Sequence, residues 1–127
     1  MKSTLLKLYI VIALGCSSVI AKADFLLIVN PTGPMPSCTF NYTVWDANGV
    51  AIYSGNNFNP PPTTCISTSL TPSYITFSVG TCGSYTMNIN SSVWACNPPD
   101  PCYGLKSNTW AQNGICSPNG DVLTINI

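Results

Sequence analysis

The stretch C-T-F-N-Y-T-V-W-D-A-N-G-V-A-I-Y-S-G, residues 38–55, decides the fold, because it reads as two alternating strands around a turn. Two loop lengths are open to it, and each sorts the side chains differently onto the two faces. A two-residue Asn48-Gly49 loop sets Val44 opposite Tyr53 and mixes apolar with polar residues on both sides. A three-residue loop, with Asp46 opening a type I turn and Gly49 in the left-handed position, sets Asp46 opposite Val50 and Val44 opposite Ile52. The second sorts cleanly and is the register expected. One face then carries Phe40, Tyr42, Val44, Val50 and Ile52 as core; the other carries Asn41, Thr43, Trp45, Ala51 and Tyr53, with Trp45 and Tyr53 within reach of each other.

Upstream, the apolar run F-L-L-I-V at 25–29 is stopped by P-T-G-P-M-P at 31–36, which reads as a buried first strand and a stiff crossing. Residues 1–23 carry Lys2 and Lys7, an apolar run over 8–14 and A-K-A at 21–23, the pattern of a secretory signal. The run is too short to span a bilayer, so the mature chain is expected to begin at Asp24 and to be secreted, extracellular or periplasmic. A competing reading takes A-L-G-C at 13–16 as a lipoprotein box, making Cys16 a lipid anchor.

Downstream, the three prolines at 60–62 mark a loop leading to a short strand at 65–70. Residues 74–79 alternate with Ile75, Phe77 and Val79 on one side. Residues 84–90 alternate with Tyr85, Met87 and Ile89 on one side, so the two segments form a second hairpin. Over 91–120 periodicity fades into Pro, Asn, Gly and Cys, and a disulfide-held loop region is expected there, with one short strand near 93–96. Residues 121–127 close the domain as a last strand. No stretch shows helical spacing with caps. About seven short strands in a single domain, 24–127, predict an antiparallel β-sandwich of immunoglobulin-like or transthyretin-like type. Its suspected edges are 25–29 and 122–127.

After the signal the chain keeps Asp24, Asp46, Asp100 and Asp121 against Lys106 alone, a net charge of minus three, and it has no Arg, Glu or His anywhere. Nucleic acid and anionic membrane surfaces both require clustered cations, so neither is an expected partner. So few charges also ease self-association. Six cysteines, Cys38, Cys65, Cys82, Cys96, Cys102 and Cys116, read as three disulfides behind a signal peptide. Three precede residue 91 and three follow it, so an odd number of bridges joins the halves. A local Cys96–Cys102 bridge is one option, and it would send Cys116 to Cys38, Cys65 or Cys82.

Without histidine there is no Ser-His or Cys-His nucleophile pair and no common zinc site, and no C-x-x-C pair is present. Each aspartate has a turn or terminal explanation. No catalytic residue, metal or cofactor is therefore assigned. Two sequons, at Asn41 and Asn90, would accept N-glycans in a eukaryotic secretory route. The candidate ligand-binding residues are the aromatics Trp45, Tyr53, Trp94, Tyr103 and Trp110, read as a platform for sugar rings or a protein, unless the stapled loop folds over them as a second core. The expectation is a secreted, non-catalytic module binding an extracellular protein or glycan. A structural subunit assembling by strand pairing is the alternative, and a small secreted enzyme or inhibitor is a remote third.

Overall fold

The computed structural model describes residues 24–30, 39–56, 63–80, 82–112, 115–116 and 120–127. The signal and lipid-box readings, Cys16 and Cys38 lie outside them. Nine strands are present among the described residues: β1 (Phe25–Asn30), β2 (Phe40–Trp45), β3 (Ala51–Asn56), β4 (Thr64–Ile66), β5 (Tyr74–Val79), β6 (Ser84–Asn88), β7 (Ser92–Ala95), β8 (Gly104–Gln112) and β9 (Asp121–Asn126). They form a five-stranded sheet in the order β4-β1-β9-β8-β7 and a four-stranded sheet in the order β3-β2-β5-β6. No helix occurs among the described residues, and the all-β fold expected from strand spacing is the one observed.

The core lies between the sheets. Phe25, Leu27, Leu123, Ile125 and Ile127 from one side join Phe40, Tyr42, Val44, Ile75, Phe77 and Val79 from the other in one apolar cluster. The alternations over 74–79, 84–90 and 121–127 point these residues inward as expected, since one face of each strand must leave water. Every pairing among the described strands is antiparallel except β1 with β9, which run parallel from Phe25 beside Asp121 to Asn30 beside Asn126. Residues 25–29 and 122–127, suspected as edges, thus sit inside the larger sheet, with β4 beyond β1 and β8 beyond β9.

The 38–55 hairpin keeps its expected turn and changes its register. Gly49 N–H donates to the Asp46 carbonyl at 3.3 Å, Asp46 N–H donates to the Val50 carbonyl at 3.0 Å, and Gly49 has φ of 78°. Asp46 Oδ1 also accepts from the backbone N–H of Asn48 at 2.9 Å and Val50 at 2.7 Å, which fastens the corner. One step further a bulge intervenes: Trp45 faces Ala51, but Val44 faces Tyr53 instead of Ile52. The extra residue flips the rest of β3 onto the opposite face. Ile52, the extra residue, is half-buried and Tyr53 turns toward the core, whereas Val50, expected in the core, keeps its place opposite Asp46 and is 48% exposed at the turn.

Residues 91–120 also differ from expectation. They hold β7 and the nine-residue β8, the longest of the described strands. The inward positions of β8 are Lys106, Asn108 and Trp110, and the outward ones include Leu105 and Ala111, so apolar alternation is absent where burial alternation is present. The bridges are Cys65–Cys116 and Cys82–Cys96, and Cys102 is disulfide-bonded as well. The local Cys96–Cys102 option is therefore not used; Cys96 reaches back to Cys82 and ties the β5–β6 corner to the segment after β7.

Candidate functional site

The five aromatics expected to share a platform fall in three places. Tyr53, turned by the bulge, packs on Tyr42 with ring centroids 6.2 Å apart. Trp110 points inward from β8 and packs on Phe25 at 5.5 Å. Both are half-buried against the core and leave little surface for a ligand. Trp45 lies on the outer face of the four-stranded sheet, near-parallel to Tyr74 at 6.1 Å and 11°, with its Nε1–H donating to Thr76 Oγ1 at 2.7 Å.

Trp94 and Tyr103 do come together, on the outer side of the five-stranded sheet. Their rings stack at 5.2 Å and 20°. Trp94 is 57% exposed and Tyr103 41%, and Leu105, the register partner of Trp94, is 46% exposed. Three large apolar side chains thus meet water as one patch, which is the arrangement that marks interaction surfaces. Tyr74 and Leu105 were missed from the sequence. Their membership depends on which strand lies alongside, and only the pairing supplies that.

The loop between β7 and β8 positions Tyr103. Asp100 N–H donates to the Asn97 carbonyl at 3.0 Å, Tyr103 N–H to the Asp100 carbonyl at 2.9 Å, and Cys102 N–H to Asp100 Oδ1 at 2.7 Å. Tyr85 joins the same knot: its hydroxyl donates to the Cys82 carbonyl at 3.2 Å and accepts from Cys96 N–H at 2.8 Å. Two bonded cystines and an aspartate-pinned turn hold the exposed pair on a stiff mount, so little order has to be imposed when a partner arrives.

The sulfurs of Cys82 and Cys96 and an oxygen of Asp100 lie within 4.8 Å of one another, the shape of a metal-ligand cluster. Both sulfurs belong to the Cys82–Cys96 bridge, so neither is a thiolate and neither carries a proton. The 3.2 Å approach of Asp100 Oδ2 to Cys82 Sγ is accordingly an oxygen–sulfur contact and not a hydrogen bond. Asp24 is engaged in a similar structural way, accepting from the Ser67 hydroxyl at 3.1 Å and Thr68 N–H at 3.2 Å. The Cys65–Cys116 bridge sits over the outer side of the larger sheet, where Cys65 neighbours Leu26 and Leu26 neighbours the buried Val122. That staple covers aliphatic side chains and leaves Trp45 uncovered, unlike the second aromatic core considered above.

Lys106 is the one cation among the described residues, and it is 5% exposed. It points inward from β8, with Nζ 3.5 Å from where a Cβ at Gly104 would stand, and no described carboxylate pairs with it. Desolvation holds its pKa below the ordinary lysine value. Among the described residues the accessible surface is left with aspartates and neutral groups only.

Fold and patch together define a cystine-stapled two-sheet β domain with an exposed aromatic pair. No protein-family model matches the chain, and neither does any curated protein or solved structure.

Proposed function

We propose that the protein is an exported, non-catalytic interaction module that holds an extracellular protein or glycan against the Trp94, Tyr103 and Leu105 surface. The observation that carries this reading is the stacked pair itself: two large rings, one on β7 and one on the cross-linked loop after it, kept in water while Tyr53 and Trp110 pack against the core. Disulfides support an oxidising compartment. No helix among the described residues is long and apolar enough to cross a membrane. The aspartates Asp24, Asp46 and Asp100 are each occupied in holding backbone, which supports a role without catalysis.

The test is a comparison of wild type with Trp94→Ala and Tyr103→Ala against arrays of secreted proteins and glycans. Partners should be lost from both variants while their melting temperatures stay within a few degrees of wild type. Partners retained equally by all three proteins would remove the patch from the function. Assembly into a fibre by strand pairing has less support, since the strands expected to offer edges are interior.

A further inference from the structure

The outer face of the β3-β2-β5-β6 sheet is ordered in a way that the hairpin alone does not reveal. Strand register places its outward residues in three rows that run across all four strands. The first is Ala51, Trp45, Tyr74, Asn88; the second is Ser54, Thr43, Thr76, Thr86; the third is Asn56, Asn41, Ser78, Ser84. Two rows consist wholly of hydroxyl and amide side chains, and no position on the face is charged. Neighbours across the sheet lie about 5 Å apart and successive rows about 7 Å apart. All twelve side chains are exposed or half-buried.

The low charge of the chain explains why the face lacks lysine and aspartate, but not why threonines align in register or why the aromatics gather at one end. The Trp45 bond to Thr76 directs the indole along the sheet toward the hydroxyl row, and Tyr74 supports its other side. Thr43 and Ser54 hydroxyls meet at 2.9 Å. An open depression of about 160 Å³ lies among Asn41, Thr43, Thr76, Ser78 and Ser84, enough for about one sugar ring.

We propose that this face binds an uncharged polysaccharide, with one ring stacked on Trp45 and the following ones hydrogen-bonded along the hydroxyl and amide rows. Sugar hydroxyls donate and accept at once, and Ser, Thr and Asn side chains do the same. The C–H face of a pyranose complements a flat indole. An anionic polymer would find no counter-charge here. This site is additional to the Trp94 surface and does not depend on it.

The experiment is retention of the disulfide-intact protein on insoluble cellulose, chitin and cross-linked mannan, at low and high salt. Wild type and Trp94→Ala should both bind at least one of the three, with little effect of salt. Trp45→Ala should weaken that retention by about tenfold, and the near-isosteric Thr43→Val/Thr86→Val double variant several-fold. The double variant keeps β propensity, so it decides the matter if Trp45→Ala does not fold. Failure of wild type to bind any of the three overturns the proposal, as does equal binding by the face variants or release by salt. Loss in Trp94→Ala alone would move glycan binding to the other surface. A concentration-dependent dimer dissolved by Thr86→Lys would show that a second copy occupies the face, and would also overturn it.

Discussion

Tyr42 shows how one residue can be both well packed and poorly satisfied. It is 2% exposed and its hydroxyl has no hydrogen-bond partner. The ring lies over Gly55, where a Cβ would come within 2.5 Å of that hydroxyl. Gly55 is therefore needed for the close approach of β3 to β2. Removing the orphan oxygen in Tyr42→Phe should stabilise the fold by about 1 kcal/mol, read as a higher melting temperature, because its burial is uncompensated. Desolvation, with Tyr53 adding to it, raises the Tyr42 pKa far above the ordinary 10.0. The folded state then keeps a proton that the unfolded state releases, so stability falls as pH climbs above about 10, and Tyr42→Phe should flatten that alkaline decline. Lys106 has the opposite shift: the unfolded chain holds the proton more tightly, so the lysine weakens the fold at neutral pH, less so as pH approaches the ordinary 10.5. Lys106→Met should raise the melting temperature at pH 7 by several degrees. A lower value would mean that the ammonium has a supporting contact.

At the scale of elements, what could be read from the chain was what local chemistry controls. The Asp46 to Gly49 turn is legible because an aspartate that accepts two backbone N–H groups and a glycine at positive φ are local requirements. The bulge one residue later is not, since what turns Tyr53 inward is its packing on Tyr42, a neighbour on the adjoining strand. For β8 the inward positions include a lysine and an asparagine, and the usual sign of a half-buried strand is missing. Asn108 explains its own burial. Its Nδ2–H donates to the Asn88 carbonyl at 2.9 Å, its Oδ1 accepts from Asn90 N–H at 2.9 Å, and its backbone N–H donates to the Ser91 carbonyl at 3.0 Å. The side chain thereby pins the turn that carries the chain from one sheet to the other. Asn108→Ala should cost about 1 kcal/mol in denaturant unfolding, because it takes a partner from the Asn88 carbonyl and from Asn90 N–H in a part-buried turn; a change below about 0.5 kcal/mol would show that water replaces it. The candidate site was half legible for the same reason: aromatic identity is in the sequence, but the pairing of Trp94 with Tyr103, and of Trp45 with Tyr74, depends on which strands lie together.

For the molecule as a whole, cross-links connect segments that the sheets keep apart. Cys65 and Cys116 are 51 residues apart in sequence and Cys82 and Cys96 are 14 apart. The fifth bonded cysteine, Cys102, has its Sγ 3.8 Å from where a Cβ at Gly80 would stand, and Gly80 N–H donates to the Thr39 carbonyl at 2.7 Å. Position 38 adjoins Thr39, so non-reducing peptide mapping should join the Cys102 and Cys38 peptides. Recovery of Cys38 as a free thiol would refute that pairing. With every described cysteine bonded, reduction should lower stability by several kcal/mol, read as an earlier denaturant midpoint.

The parallel seam between β1 and β9 bears on when this chain can acquire its shape. β1 finds its longest neighbour only after residues 121–126 have been synthesised, so a polypeptide cut short of them lacks that seam and stays open. Chains ending before Asp121 should accordingly be digested by a protease that spares the full-length product. Resistance of such a fragment would mean that the other strands can close without their last partner.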